Sequence, residues 1–395
     1  MIELEVNSSN GYCFADTSTK IYYQIKLKSS SSTSVPSRSA ISILIDRSGS
    51  MNGEKLNNAK EAAKLVLDTL GENNFIALYA FSAKTSNLVP FSRADNKGKI
   101  ANSIDHIKAS GGTFMYGALS EAYNDAREFS LDGGSVTLII LTDGQPSDVG
   151  DVTKYEKLAG EASEIGMKIV CVGIGDYDET ILKAMADASN GDFINATDRI
   201  SITDAFMKYA NEAATSGGSS AVLKLIPRES GAIEVYDQTF SIDDGTATIK
   251  IGTVGSEPIS ITGSINIKGG TEGNITGLQV LLTYRDNAGA LQENKVNLNL
   301  NRTRNSELVV SSVNRELINE ARLKMQMGQV EYLIARGDFD SATRISRKAM
   351  DSANATKKRE FIEATKRLDR VLEQSGSGQV DRKEAYNQTT KIKRK

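Results

Sequence analysis

The chain has 395 residues, of which 39% are hydrophobic and 25% charged, a composition typical of a folded protein with more than one domain. Its formal net charge of −3 gives no reason to expect a nucleic-acid partner. No apolar run reaches the roughly 18 residues that a membrane span needs. The acidic start of the chain is unlike a signal peptide. We therefore expect a cytoplasmic protein without membrane insertion.

The first part of the chain predicts strands. Apolar and polar residues alternate over residues 3–7 and 21–27, which is typical of strands with one solvent-facing side. Serine then dominates residues 29–34, a composition that favours a flexible linker.

Strand and helix patterns alternate between residues 38 and 214. Short apolar runs at residues 41–45, 75–81, 136–141 and 168–174 predict strands. Apolar residues at helical spacing fill the intervals between them. This alternation predicts a parallel sheet with helices on both faces, which is a Rossmann-like α/β domain.

Oxygen-bearing side chains follow two of these strands. Asp46, Ser48 and Ser50 lie at alternate positions after the first strand, and Asp143 comes directly after the strand at 136–141. Thr113 ends a Gly-Gly-Thr loop between them. Open α/β sheets place their ligands at the carboxyl ends of strands, and hard divalent cations take oxygen ligands. The pattern therefore predicts a metal site.

This three-part pattern resembles the metal-ion-dependent adhesion site of von Willebrand factor A (VWA) domains. The resemblance implies one Mg²⁺ or Mn²⁺ ion, with Ser48, Ser50 and Thr113 as direct ligands. It also implies that Asp46 and Asp143 act largely through waters. Few direct carboxylates leave the cation electrophilic, so an acidic group of a protein partner completes its coordination. The implied role is recognition without catalysis.

The pattern changes after residue 214. Residues 215–220 are rich in Ser and Gly and predict a second linker. Period-two segments then predict an antiparallel β-sandwich, at residues 222–226, 247–251, 259–265, 278–284 and 296–300. The strands before residue 30 have no partners in the VWA sheet, so we expect them to join this sandwich. The VWA domain is then an insertion with the two linkers as hinges.

Helical spacing returns from about residue 312, and the last stretch is polar and basic. We therefore predict a small helical domain and a disordered tail. The expected divisions are residues 1–37 for the N-terminal sandwich strands, 38–214 for the VWA domain, 215–311 for the rest of the sandwich, 312–374 for the helices and 375–395 for the tail.

This domain order resembles that of Sec23/Sec24 coat proteins. It is also similar to the family of archaeal VWA proteins that pair with a forkhead-associated (FHA) protein in the archaellum regulatory network. The second resemblance implies Ser/Thr kinases and an FHA protein as partners. Thr389, Thr390, Ser375 and Ser377 of the tail are phosphorylation candidates, because a disordered segment can enter a kinase cleft. The resemblance favours the two threonines, because FHA modules read phosphothreonine.

Two other functions compete with this scaffold role. The chain could be a VWA accessory subunit of a MoxR-type AAA+ ATPase or a chelatase-like complex, although it has no phosphate-binding loop of its own. A phosphatase of the haloacid dehalogenase type also begins with a strand-end Asp, but it needs a second acidic residue where Ser48 stands. We therefore expect a protein that is not an enzyme.

Overall fold

The computed structural model describes residues 1–30, 38–373 and 380–395, with the backbone alone at residues 230 and 231. The chain begins with the strands β1 (Ile2–Ser8), β2 (Tyr12–Phe14) and β3 (Thr19–Ser29). An α/β domain follows, built from β4 (Ser39–Asp46), α1 (Glu54–Thr69), β5 (Phe75–Phe81), β6 (Thr85–Arg93), α2 (Lys97–Asp105), α3 (Met115–Leu131), β7 (Ser135–Thr142), α4 (Val152–Glu164), β8 (Met167–Ile174), α5 (Glu179–Ala188), β9 (Phe193–Ala196) and α6 (Arg199–Ala214).

Seven further strands come next, β10 (Gly218–Pro227), β11 (Ser230–Val235), β12 (Ser241–Asp243), β13 (Thr246–Val254), β14 (Ile259–Ile267), β15 (Gly273–Arg285) and β16 (Leu291–Thr303). After these strands, the described residues form five helices, α7 (Ser306–Ser311), α8 (Arg315–Ala335), α9 (Phe339–Thr356), α10 (Arg359–Glu373) and α11 (Arg382–Lys393). Among the described residues, no helix is both long and apolar enough to cross a membrane.

The α/β domain has a six-stranded sheet in the order β6-β5-β4-β7-β8-β9. All neighbours pair in parallel except β5 and β6. Every residue of β4 and of β7 is buried, because helices cover both faces of the sheet. The predicted α/β class and its four strands are confirmed. The two edge strands, β6 and β9, were not predicted, because one is partly exposed and the other has four residues.

The other strands form two sheets that enclose one apolar core, in the orders β1-β3-β14-β11 and β12-β13-β10-β15-β16-β2. β3 pairs antiparallel with β14 along its length, and Ile25 lies opposite Ile261. β2 adds to the far edge of the second sheet, parallel to β16. As predicted, the N-terminal strands pair with strands that follow the α/β domain in the chain.

The second predicted linker is not a hinge. Ser216 and Ser219 are buried, and β10 already begins at Gly218. The hydroxyls of Ser216 and Ser39 lie 3.1 Å apart, in a buried cluster of hydroxyl groups where the α/β domain meets the sandwich. The prediction was wrong because small polar residues also suit a tightly packed junction when their hydroxyl groups pair with each other. Of the first predicted linker, residues 31–34 lie outside the described residues.

A buried ion pair connects the helices to the sandwich. The ammonium of Lys324 on α8 lies 2.8 Å from Oδ2 of Asp237 and 3.2 Å from the hydroxyl of Thr262 on β14. Both charged side chains are fully buried. Glu320, one turn before Lys324, accepts a hydrogen bond from Gln24 on β3. These contacts fix α8 on the outer face of the sheet that contains β3 and β14.

The predicted disorder of residues 375–395 is wrong for the last part of the chain. Residues 382–393 form α11, which begins where the carboxylate of Asp381 accepts a hydrogen bond from the backbone N–H of Glu384. The helix lies against the edge strand β9, where the N–H of Asn195 donates to the side chain of Asn387. Such polar contacts accompany the burial of Ala385, Tyr386 and Ile392 in the hydrophobic core. Residues 374–379 lie outside the described part of the chain.

Candidate metal centre

The predicted site residues gather where the sheet of the α/β domain reverses its strand order. The chain passes from β4 outward to β5 and β6, and then returns to place β7 on the other side of β4. Asp46 is the last residue of β4, and Asp143 directly follows β7. Neighbouring strands with such diverging connections leave a crevice at their carboxyl ends, which is where open α/β sheets hold ligands.

Asp46 is fully buried and held by hydrogen bonds on both carboxylate oxygens. The backbone N–H of Ser48 donates to Oδ1 over 2.7 Å, and the hydroxyl of Thr142 donates to Oδ2 over 2.6 Å. Burial raises the pKa of Asp46, and the nearby carboxylate of Asp143 adds to that rise, whereas the bonds from Thr142 and Ser48 act against it. The carboxylate therefore has a fixed orientation at the base of the site.

Hydrogen bonds link the two serines to the second aspartate. The hydroxyl oxygens of Ser48 and Ser50 lie 3.1 Å apart, and the hydroxyl of Ser50 donates to Oδ1 of Asp143 over 2.7 Å. Ser50 is exposed, whereas Ser48 and Asp143 are buried. The site thus opens to solvent on the side of Ser50.

The loop that contains Thr113 packs against both strand ends. The N–H of Gly49 donates to the carbonyl of Gly111 over 3.0 Å. A Cβ on Gly144 would lie 3.0 Å from Oγ1 of Thr113, so the close approach of these two loops favours glycine there. The structure therefore brings all five predicted residues, Asp46, Ser48, Ser50, Thr113 and Asp143, to one end of the sheet.

The donor set fits a hard divalent cation. It has two carboxylates and three hydroxyls, and oxygen ligands suit Mg²⁺ and Mn²⁺. Among the described residues, no group of three or more His, Cys, Asp or Glu side chains is arranged to hold a metal. The candidate site does not meet that description, because it has only two carboxylates and its other donors are hydroxyls.

Sequence reasoning missed three residues that shape the site. Thr142 orients Asp46, and Ser147 accepts from the N–H of Thr113 over 3.1 Å through its hydroxyl. Lys55, near the start of α1, places its ammonium 2.5 Å from Oδ2 of Asp143. The spacing of Lys55 after the serines gave no signal, because an exposed lysine in a first helical turn is common.

The phosphorylation candidates lie elsewhere, and their surroundings differ from the prediction. Thr389 is fully buried and Thr390 is 7% exposed, both on α11. The hydroxyl of Thr389 donates to Oε1 of Glu331 over 2.7 Å. Ser375 and Ser377 lie outside the described residues. The two threonines are therefore inaccessible while α11 is docked.

Two parts of the chain match known domain families. Residues 40–208 match the von Willebrand factor type A domain, and residues 315–395 match the Archaellum regulatory network B, C-terminal domain. The uncharacterised protein sll0103 of Synechocystis is 30% identical over 150 residues, which are 38% of this chain and 35% of that protein. YfbK of Escherichia coli is 27% identical over 179 residues, 44% of this chain and 31% of that protein. The chain thus spans about a third of the length of these curated relatives.

Solved structures share the fold of the whole chain. The ArnB paralog VWA2 from Sulfolobus acidocaldarius superimposes with a TM-score of 0.73 at 24% identity, over 100% of this chain and 98% of that chain. A von Willebrand factor type A protein from Catenulispora acidiphila gives a TM-score of 0.81 at 20% identity, over 100% and 96% of the two chains.

The predicted likeness to Sec24 is also found. The human COPII-coat protein Sec24c gives a TM-score of 0.61 at 11% identity, over 91% of this chain and 58% of that chain. This likeness concerns the fold alone. The C-terminal family match runs from residue 315 to residue 395 and so includes the last helix. The chain combines a VWA domain with a C-terminal domain of the archaellum regulatory network B family.

Proposed function

We propose that this protein is a cytoplasmic, non-enzymatic interaction scaffold in a regulatory network of the archaellum type, where kinases and an FHA-domain protein control motility. Two observations support the proposal. Five oxygen donors converge at the switch point of the VWA sheet, and the last four helices match a domain named for the archaellum regulatory network. The convergence of the five donors is the observation that carries the binding role.

The metal-binding part of the proposal assigns each residue a role. Ser48, Ser50 and Thr113 would hold Mg²⁺ or Mn²⁺ directly, and Asp46 and Asp143 would hold it largely through waters. When bound, the cation supplies a Lewis-acidic position that an Asp or Glu of a partner can occupy. Ser50 is the exposed residue of the five, so the partner would approach from its side.

The residues around the site favour binding over catalysis. The two strand-end carboxylates are occupied by hydrogen bonds from Ser48, Thr142, Ser50 and Lys55. Nucleophilic catalysis needs a nucleophile with a general base in reach. The single histidine of the chain, His106, is exposed and bonds to the carbonyl of Asn102 on its own helix.

The C-terminal helix supplies the regulated contact in this proposal. Thr389 and Thr390 are the preferred phosphorylation sites, with Ser375 and Ser377 as further candidates. A kinase reaches the two threonines only when α11 undocks from the rest of the protein, because both are buried. A phosphate on Thr389 would carry about −1.5 to −2 charges to a position beside Glu331, and this repulsion would keep α11 undocked. The undocked phosphothreonine is then available to an FHA module.

The test measures both contacts separately. Protein purified from its host is analysed for phosphate by mass spectrometry, and its binding to the host's FHA-domain protein is measured with Mg²⁺ and with a chelator. We expect phosphate on Thr389 or Thr390, and FHA binding that Thr389→Val with Thr390→Val abolishes. Phosphate confined to other elements, or FHA binding unchanged in this double variant, would contradict the regulatory part.

The metal-binding part has its own readout. A partner that docks at the VWA site should be lost on chelation and in Ser48→Ala, but retained in Ser110→Ala. Ser110 is a suitable control because its hydroxyl bonds to Arg47 on the neighbouring loop and is not among the five site residues. Partner binding that is unchanged by the chelator would contradict a metal-dependent contact. It would not bear on the proposed contact with the FHA protein.

A further inference from the structure

A cavity of about 950 Å³ lies where the α/β domain, the sandwich and α11 meet. Residues of α6 and β9 line one side, residues of β3, β13 and β14 line another, and α11 closes it. Its volume is in the range of pockets that hold small molecules. The candidate metal centre is a different place, because none of its five residues lines this cavity.

Two pairs of side chains, one on each side of the cavity, have the same composition. On the sandwich side, Ser260 of β14 lies directly opposite Lys26 of β3 in the strand register, so both side chains stand on the same face of the sheet. On the helix side, Thr390 and Lys391 are consecutive residues of α11. All four residues line the cavity. Each pair offers one hydroxyl and one ammonium group.

The two hydroxyls lack partners. Ser260 is 7% exposed and so is Thr390, and the hydroxyl oxygen of each is buried without a hydrogen-bond partner in the described part of the chain. A buried polar group left unpaired destabilises a protein, and such groups are normally satisfied by a bound molecule or water. Because both residues line one cavity, a ligand bound there is a candidate partner for both hydroxyls.

The two lysines also lack ion-pair partners in the described part of the chain. Neither Lys26 nor Lys391 forms an ion pair with any described residue, whereas the lining carboxylates of Asp192 and Glu212 are neutralised by Lys208 and Lys168. Lys26 and Lys391 are exposed to solvent, as are the remaining lining carboxylates at residues 204 and 257. The pKa of Lys391 is lowered by loss of solvation, so a nearby anion would stabilise its charged form.

Part of the remaining lining is suited to an apolar body. Phe193 and Tyr209 come from the α/β domain, and Ile251, Pro258 and Ile259 come from the sandwich. We propose that this cavity binds a small phosphate ester, with its phosphate held by Lys26, Ser260, Thr390 and Lys391 and its apolar or aromatic body against these walls. Ammonium and hydroxyl donors together form the usual donor set for phosphate. A ligand held on both sides would also fasten α11 to the sandwich.

The experiment measures binding of AMP, adenosine and inorganic phosphate to the full chain by calorimetry. We expect AMP to bind, inorganic phosphate to compete with it, and adenosine to bind far more weakly. Replacing both lysines, as Lys26→Ala with Lys391→Ala, should weaken AMP binding by about tenfold or more, because two charge-assisted contacts are lost. Replacing Ser260 by Ala and Thr390 by Val should weaken it in the same direction.

A control variant tests whether the loss of AMP binding is specific to lysines of the cavity. Lys224→Ala with Lys348→Ala removes two exposed lysines outside the cavity and should leave AMP binding unchanged. If a cavity variant fails to fold, hydrogen exchange on the wild-type chain decides instead, with slower exchange over 382–393 expected when AMP is present. Adenosine binding as tightly as AMP, equal AMP affinity in all variants, or no binding of AMP at millimolar concentration would overturn the proposal.

Discussion

The hydroxyl of Thr389 on α11 donates a 2.7 Å hydrogen bond to Oε1 of Glu331 on α8. The same carboxylate lies 3.1 Å from the ammonium of Lys183 on α5 and 2.7 Å from that of Lys393 on α11. One largely buried carboxylate therefore joins the helical region, the α/β domain and the last helix. The docking of α11 depends on these charges and hydrogen bonds as well as on its apolar residues in the core, so a change of charge at Thr389 acts directly on it.

A Thr389→Glu variant should undock α11. The new carboxylate would stand beside Glu331, and like charges in a partly desolvated place repel. Hydrogen exchange over residues 382–393 should become faster, and it should stay slow in Thr271→Glu, where an exposed threonine on another loop is changed. Thr389→Val keeps the shape and loses one hydrogen bond, which should cost about 1 kcal/mol of stability. Unchanged exchange in Thr389→Glu would contradict the role given to this contact.

Low pH should weaken the docking of α11, because it protonates Glu331. Burial alone would raise the pKa of Glu331, but Lys183 and Lys393 outweigh it and hold the pKa at about 2, below the usual 4.5. A carboxylate with a lowered pKa in the folded state contributes stability above its unfolded pKa, and that contribution is lost as the pH falls toward the folded pKa. The stabilisation by Glu331 is therefore complete above about pH 5 and decreases steadily below it.

A Glu331→Gln variant isolates this effect from other acidic groups. Urea unfolding of the wild type and the variant is compared at several pH values. The wild type should be the more stable of the two at neutral pH, and the difference should shrink as the pH falls from about 5 toward 3. A difference that stays constant over this range would show that Glu331 does not titrate as its surroundings indicate.

The sequence predicted the strands that have an unbroken apolar run or a regular alternation of apolar and polar residues. β4 and β7 contain the apolar runs at residues 41–45 and 136–141, and the acidic and hydroxyl residues that follow these runs predicted one site. The strand register then brought Asp46 and Asp143 together as neighbouring strand ends do. The sequence also predicted that β3 pairs with strands later in the chain. Its apolar and polar residues alternate, which does not suit the buried parallel sheet.

α11 escaped prediction for a physical reason. Its buried residues include four polar ones, from Asn387 to Thr390, and only three apolar ones, so the sequence shows no clear apolar periodicity. One local signal was available, since Asp381 followed three residues later by Glu384 is the spacing of a helix N-terminus. Lys55 was missed for a different reason, because its pairing with Asp143 depends on how α1 is placed after the loop.

The ion pair of Lys324 and Asp237 should be needed for stability. Replacing Lys324 by Ala leaves the carboxylate of Asp237 buried without a counter-charge, which typically costs about 3–5 kcal/mol. Urea unfolding of the variant should show a loss of this order. Lys28→Ala, which removes an exposed partner of Glu3 on the same sheet, should leave unfolding nearly unchanged because water screens that pair. Similar losses in both variants would contradict this view.

Lys55 should oppose metal binding. Its ammonium lies 2.5 Å from the Asp143 carboxylate, so a divalent cation and this lysine compete for the same negative charge. Two unit charges about 4 Å apart in water interact by about 1 kcal/mol, so Lys55→Met should bind Mg²⁺ roughly fivefold more tightly. Lys64→Met, which removes a surface ammonium farther along α1, is the control. Weaker Mg²⁺ binding by Lys55→Met would show that the lysine supports the site.

The central claim is that five side chains at the switch point of the VWA sheet hold one divalent cation. Isothermal titration with Mg²⁺ and Mn²⁺ tests it most directly, on the wild type and on Asp46→Ala, Ser48→Ala and Ser110→Ala. Circular dichroism establishes that each variant is folded. We predict one binding event in the wild type and in Ser110→Ala, and its loss in Asp46→Ala and Ser48→Ala. Equal binding of the metal by all four proteins would contradict the claim.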